Sequence, residues 1–191
     1  GSGNTAVGET ALADNTTGTL NTGIGRDALN FNTTGEKNTS VGERSLQRNT
    51  TASNNTSVGF AALNVNTTGA FNVAIGSECL EANTTGTDNV AIGGKTLDAN
   101  VTGGANTAIG RSALGANTTA DSNTAVGHSA LKVNTTGSAN VAVGANAGDA
   151  ITTGAGNVAL GLGSLSSITT TNSNTALGHN AMQLGSGGAE C

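Results

Sequence analysis

The chain repeats every 17 residues, and this period constrains its fold more than any other feature. A five-residue signature, N-[TV]-[AGS]-[VIL]-G, begins at eleven asparagines that are each 17 residues apart. They are Asn4, Asn21, Asn38, Asn55, Asn72, Asn89, Asn106, Asn123, Asn140, Asn157 and Asn174. A short fixed period is typical of a solenoid, in which each repeat forms one coil stacked on its neighbours. It disfavours an active-site cleft, because a cleft needs unique residues from distant segments.

The consensus of the repeat is N-T-A-V-G-x-x-A-L-x-x-N-T-T-G-x-x, and we number its positions as phases one to seventeen. Phase five is Gly in all eleven copies, phase four is Val, Ile or Leu, and phase nine is Leu in nine copies. At phase twelve, Ile151 and Ile168 replace the usual Asn. These recurring positions are the candidates for the structural framework.

Phases one to five are predicted to form a strand. Thr or Val at phase two and Val, Ile or Leu at phase four alternate with a small residue at phase three. We expect phases two and four, with the Leu of phase nine, to hold the coil together. The Asn residues of phases one and twelve are expected to form hydrogen-bonded ladders along the stack. The Asn-Thr-Thr-Gly segment is turn chemistry.

The middle of the repeat, phases six to eleven, has a pattern that would also suit a short helical turn. Stacking excludes a full helix, because neighbouring strands lie about 4.8 Å apart whereas packed helices need roughly 8–10 Å. We therefore interpret the segment as a bent strand or a thin irregular arm. Eleven coils at about 4.8 Å each predict a rod of roughly 50 Å.

The composition excludes several classes of partner. The net charge is −5, which disfavours binding to a phosphate backbone. The chain has three Phe and no Trp or Tyr, so it lacks the stacking platforms that bind single-stranded nucleic acid. No run of about 20 apolar residues exists, which predicts no membrane insertion of this segment.

Three regions follow from the register of the repeat. Residues 4–184 are predicted to form an eleven-coil solenoid, and residues 185–191 a flexible tail. Residues 1–3 fit either a cloning scar or phases fifteen to seventeen of a further repeat. We interpret the chain as a piece of a longer protein.

No residue set predicts a catalytic, cofactor or metal site. His128 and His179 share phase six but are three coils apart, roughly 14 Å, so they are expected to be solvated surface residues rather than ligands of one metal. Cys79 at phase eight is expected to be a small buried thiol, and Cys191 a free thiol in the tail. The recurring Asn-x-Thr/Ser sequences match glycosylation acceptors, but we interpret them as turn sequence.

The signature also resembles a known family. The segments 72–76 and 89–93, N-V-A-I-G in both, resemble the S-V-A-I-G core of head repeats in trimeric autotransporter adhesins, whose repeats are usually shorter by three residues. The longer form is similar to repeats of phage tail fibres. The resemblance covers residues 4–184. It implies a left-handed parallel β-roll, three chains side by side that bury apolar columns between them, and a role in attachment at cell surfaces or virions.

Together these observations predict an all-β chain: a left-handed parallel β-roll or β-solenoid of eleven 17-residue coils, trimeric, in an extracellular fibre. The predicted function is to space or display attachment sites on a bacterial surface or virion, with a homotrimer as the partner state and no enzymatic activity. Two alternatives stay open. One is an ice-binding β-solenoid that uses Thr and Asn faces, and the other is a monomeric structural spacer.

Overall fold

The fold is a parallel β-solenoid, seen in a computed structural model that describes residues 1–183. Eleven three-residue strands form one parallel sheet in chain order, and residues 1–183 contain no helix. The strands are β1 Thr5–Val7, β2 Thr22–Ile24, β3 Thr39–Val41, β4 Thr56–Val58, β5 Val73–Ile75, β6 Val90–Ile92, β7 Thr107–Ile109, β8 Thr124–Val126, β9 Val141–Val143, β10 Val158–Leu160 and β11 Thr175–Leu177. The predicted all-β architecture of stacked coils is confirmed. The hand of the coil and the trimer stay predictions. Position 184 and the tail at 185–191 lie outside the described residues.

Each strand from β1 to β10 pairs with the strand 17 residues further along the chain. Thr5 pairs with Thr22 at one end of the sheet, and Val158 with Thr175 at the other. Because the register never slips, each phase lies directly above the same phase of the preceding coil. A column of side chains, about 4.8 Å apart, therefore runs along the rod at each phase.

The face of the strands that points into the interior is the opposite of the predicted one. Their central residue, phase three, is buried in ten of the eleven strands, whereas no phase-four residue is buried. Ile75 and Ile109, for example, keep 38% of their surface exposed. The prediction that the Val, Ile or Leu of phase four packs inside the coil is therefore wrong. Phase two is half-buried in eight coils and exposed in three.

The reason for this orientation is the narrow space between the strand and the segment that faces it. Phase three lies opposite phase eight, close enough for Ser40 Oγ to donate to the carbonyl of Ser45 at 2.7 Å. Only Ala, Ser or Gly fits at phase three, and phase eight is similarly small. The larger β-branched side chains on either side of phase three must then point outward, because successive side chains of a strand alternate.

Phases six to eleven form an arm of consecutive turns, so the thin arm is confirmed and the bent strand is wrong. The φ angle is positive at phases seven and nine, as at Glu78 (56°) and Leu80 (52°). This alternation aims backbone N–H groups along the stack. Glu78 donates to the carbonyl of Phe60 in the preceding coil at 2.8 Å, and Leu80 to that of Thr96 in the next coil at 3.0 Å.

The interior is built from two kinds of column. The Leu of phase nine is buried in every coil that carries it and, with the small residues of phases three and eight, forms the apolar core. That prediction is confirmed. Beside it, the phase-one Asn89 donates from Nδ2 to Asn72 Oδ1 at 3.1 Å, and the phase-twelve Asn100 donates to Asn83 Oδ1 at 2.9 Å. The predicted amide ladders are therefore present.

The two amide ladders meet at the carbonyl of phase fifteen. Asn89 Nδ2 and Asn100 Nδ2 both donate to the Gly103 carbonyl, each at 2.9 Å. The phase-fifteen carbonyl thus links the first residue of a coil to its last turn. The amide ladders link each coil to the preceding one. The amides are buried, so these bonds form without competition from water.

Coil nine, residues 140–156, differs from the consensus at two interior positions, phases nine and twelve. Gly148 stands where other coils have Leu, and Ile151 where they have Asn. A side-chain carbon added at Gly148 would lie 3.1 Å from Ile151 Cδ1, so Ile151 occupies part of the missing Leu's space. The exchange also ends the phase-twelve amide ladder. Asn134 Oδ1, which an Asn at 151 would face, is buried without a hydrogen-bond partner.

Candidate functional site

The two histidines lie on the surface and apart from each other. His128 and His179 are both exposed, as we expected from their phase. Residues 1–183 contain no group of three His, Cys, Asp or Glu side chains that could hold a metal ion. None of these residues forms a helix that could cross a membrane.

Cys79 is a buried thiol of the interior, as predicted. Its Sγ donates to the carbonyl of Ala91 in the next coil at 3.2 Å, so it spans the same strand-to-arm gap as the serines of phase eight. Burial raises the pKa of the Cys79 thiol to about 12. A thiol that stays protonated and enclosed is a poor nucleophile and metal ligand. Cys191 lies outside the described residues.

Most Asn residues of the glycosylation-like sequences are structural, whereas Asn54, in Asn-Asn-Thr, is exposed. Asn38, in Asn-Thr-Ser, and Asn66, in Asn-Thr-Thr, are fully buried in the ladders. An acceptor amide must be accessible to be modified. The interpretation of these sequences as part of the structural framework is therefore supported. The candidate functional surfaces are instead those whose side chains face outward.

The first outward surface is the sheet face, formed by the side chains of phases two and four. All residues of the two columns are Thr, Val, Ile or Leu, and none is charged. The phase-four column contains exposed apolar side chains from one end of the sheet to the other. Among them are Val7, Ile24, Ile75, Ile92, Ile109, Val143 and Leu177. This face is an uncharged and largely apolar strip along the whole sheet.

The second outward surface is an unbroken row of threonines at phase fourteen. All ten are exposed: Thr17, Thr34, Thr51, Thr68, Thr85, Thr102, Thr119, Thr136, Thr153 and Thr170. The neighbouring phase-thirteen hydroxyls are engaged within the stack. Thr67 Oγ1, for example, donates to the carbonyl of Thr84 in the next coil at 3.0 Å. Only one of the two adjacent Thr columns therefore offers its hydroxyls to solvent.

The third outward surface lies on the arm side, between the phase-seven column and the columns of phases ten and eleven. An open groove of about 360 Å³ runs there across coils two to five. Arg44, Arg48 and Phe60 line it together with the amide side chains of Gln47 and Asn64. We call it the arginine groove. Asp27 and Glu81 also line it, one from its first coil and one from its last.

None of the ion pairs among the described residues includes Arg44 or Arg48. Within residues 1–183 the pairs are Arg26 with Glu43 and, more distantly, Asp27, and Lys95 with Glu78 at 3.1 Å. The Arg26–Glu43 pair joins two phase-six residues of neighbouring coils. The hydrogen bond and the charge of Glu43 raise the pKa of Arg26, and those of Glu78 raise the pKa of Lys95.

Sequence reasoning did not single out the arginine groove, although a signal for it is visible. Three of the four Arg residues and all three Phe residues fall between positions 26 and 71. Because these residues occupy different phases of the repeat, a comparison of one phase at a time does not show them as a group. The fold brings Arg44, Arg48 and Phe60 together because phases six, seven and eleven of neighbouring coils border one groove.

Comparison with known proteins adds no assignment to this geometry: no protein-family model, curated protein or solved structure matches the chain.

Proposed function

We propose that this chain is a segment of an extracellular attachment fibre, in which three copies associate along their sheet faces and display their arm sides outward. The observation that carries the proposal is the apolar phase-four column. The outward phases six and seven of the arm vary between charged, polar and apolar residues, whereas phase four is Val, Ile or Leu in all eleven coils. An outward column with a large apolar residue in every coil is typical of a surface that is covered in a protein–protein contact.

The number of copies comes from the resemblance to trimeric adhesin and tail-fibre repeats. A closed three-fold arrangement gives each sheet face the same environment. It would move the phase-four side chains from solvent into a shared core, at about 25 cal/mol per Å² of apolar surface buried. The proposed role in attachment follows from two properties of the trimer. It is a stiff rod of roughly 50 Å, and it displays each surface in three identical copies. A structural role is also supported by the repetition itself, because nearly every interior position is used for stacking.

The test is the molar mass in solution by light scattering, under reducing conditions that exclude links through Cys191. We expect about three times the chain mass of 18.3 kDa. The double variant Ile75→Lys/Ile109→Lys should give monomers, because it places two charges on the sheet face. The matched control Thr68→Lys/Thr102→Lys has the same 34-residue spacing on the exposed threonine row and should stay trimeric. A wild-type mass near that of one chain would contradict the proposal.

Ice binding is the second candidate, and the regular, uncharged columns of the sheet face favour it. Two outward columns of Thr, Val and Ile at regular spacing could order water if the face were left uncovered. The threonine row at phase fourteen supports this candidate less, since a single free row does not form a plane. Thermal hysteresis measures the activity directly. A monomer that shows thermal hysteresis would favour ice binding over the fibre, and a monomer without it would leave a structural spacer.

A further inference from the structure

We propose that the arginine groove is a binding site for an acidic saccharide, that is, a sugar chain that carries carboxylate or sulfate groups. The proposal names the ligand class for the adhesive role proposed above and rests on that role, but it does not depend on the trimer. The groove lies on the arm side, away from the sheet face. Association along the sheet face would leave it accessible.

The guanidinium groups provide the anion recognition. Arg44 and Arg48 are both exposed, and neither takes part in an ion pair within residues 1–183. The nearest acid in the column of Arg44 is Asp27, whose Oδ1 accepts hydrogen bonds from Thr10 and Asn30. Two guanidinium forks therefore face solvent with their donors available. Such forks match the planar geometry of a carboxylate and also bind sulfate.

The amide side chains between the arginines are fixed in position. Asn64 Nδ2 donates to the Arg44 carbonyl at 3.0 Å and to Gln47 Oε1 at 3.3 Å. This leaves the Gln47 amide hydrogens and Asn64 Oδ1 without a partner among residues 1–183. A donor and an acceptor held side by side suit the hydroxyl groups of a sugar, since each hydroxyl both donates and accepts.

An aromatic ring completes the site. Phe60 lines the groove and is 44% exposed, and Phe31 lies with Arg48 along an adjoining shallow depression. Exposed aromatic rings beside polar groups are typical of ligand sites, where the ring supplies an apolar contact surface. A sugar ring offers both C–H and hydroxyl faces, so it can use the phenyl ring and the amides together.

The charges around the groove favour an acidic saccharide over nucleic acid as its ligand. Nucleic acid presents a phosphate at every step, and Asp27, Glu81 and the net charge of −5 would repel it. A saccharide whose carboxylate or sulfate groups are separated by neutral sugar units carries its charges further apart and can place hydroxyls against these carboxylates. A second groove of the arm side, lined by Lys95 and Lys132, lacks an aromatic ring, and its Lys95 is already paired with Glu78.

The test is binding of the reduced full chain to an array of uncharged, uronate-bearing, sialylated and sulfated oligosaccharides, with hexaglutamate as a peptide probe. We expect at least one acidic class to bind and to weaken as salt rises. Arg44→Gln/Arg48→Gln should reduce affinity about tenfold or more, and Phe60→Ala should also weaken binding. Arg111→Gln and Phe71→Ala are matched controls, because both residues are exposed outside the groove, and they should bind like the wild type.

Three results would overturn the inference: no acidic saccharide binds, hexaglutamate binds as well as the best saccharide, or the double arginine variant binds unchanged. The changed residues are exposed, so the variants should keep the wild-type circular dichroism spectrum and melting temperature. Light scattering keeps the two proposals apart. A trimer that binds no acidic saccharide overturns the ligand alone, whereas a monomer that binds one contradicts the trimeric fibre and leaves the site.

Discussion

At the scale of single residues, the buried asparagines of the ladders are expected to contribute strongly to stability. Asn89→Ala would remove two donated bonds. It would also remove Asn89 Oδ1, which accepts from both the backbone N–H and Nδ2 of Asn106 at 3.1 Å, and leave that N–H without its acceptor. An unsatisfied buried group costs about 1–3 kcal/mol and each lost bond about 1 kcal/mol. We expect Asn89→Ala to lower the free energy of unfolding by roughly 3 kcal/mol, measured by denaturant titration.

The control for this change is Asn4→Ala at the same phase of the first coil. Asn4 is only partly buried, so water can replace its side chain. Its loss should cost less than that of Asn89. Equal costs for the two changes would show that burial of the ladder does not determine its contribution.

The thiol of Cys79 predicts a dependence of stability on pH. Its pKa is raised by burial to about 12, from an ordinary value of 9.0. A raised pKa means that the folded state holds the proton more tightly, so this contribution to stability is complete below pH 9 and decreases as the pH rises towards 12. In a Cys191→Ser background, Cys79→Ala should lose less stability than the parent between these limits in denaturant titrations. Parallel pH profiles would contradict the prediction.

Phase five shows why a glycine recurs where coils approach most closely. At Gly76, φ is 139° and a side-chain carbon would lie 2.4 Å from the carbonyl oxygen of Gly93. At Gly178 the φ is similar, 123°, but nothing lies within 4 Å of such a carbon. Gly178→Ala should therefore cost only the backbone strain, about 1–3 kcal/mol, whereas Gly76→Ala should cost several kcal/mol more or prevent folding. Similar melting temperatures for the two variants would contradict the role of close approach.

At the scale of one coil, the exchange in coil nine predicts strong coupling between two residues. Gly148→Leu alone would crowd Leu131 and Ile151, and Ile151→Asn alone would leave a cavity. The double variant restores the consensus Leu and Asn, and its new amide can donate to Asn134 Oδ1. We expect each single change to destabilise by about 1–3 kcal/mol and the double variant to recover most of that loss in a double-mutant cycle. Additive costs would show that the two positions are independent.

The parts of a coil differ in how far the sequence predicts them. The strand, the Leu column and the amide ladders were predictable, because each depends on one residue type that repeats at one phase. The outward direction of phase four was not, because a strand of three residues has too short a pattern to distinguish its faces. The arm was difficult for another reason: Glu78 and Leu80 adopt positive φ, which residue preferences assign to glycine. Inter-coil hydrogen bonds stabilise this conformation, and the arginine groove depends on four such arms.

At the scale of the whole molecule, the coil should behave as a unit that can be removed. Deletion of residues 89–105, one full period, brings residue 88 to residue 106 and leaves every remaining pair in register. We expect the circular dichroism spectrum to be kept and the melting temperature to fall only slightly, because each coil contacts mainly its neighbours. Deletion of residues 89–97 leaves half a coil and should disrupt the stack around it. If both deletions melted alike, the 17-residue coil would not be the structural unit.

The constant step of the strand register also has a consequence for inheritance. Because every pairing joins residues that are 17 positions apart, any 17 consecutive codons encode one complete turn, whichever phase they start from. An in-frame duplication of that length would lengthen the rod by about 4.8 Å and create no new kind of contact. Length in such a gene can change by simple copying, while the sequences of outward positions diverge afterwards and turn identical steps into distinct surfaces.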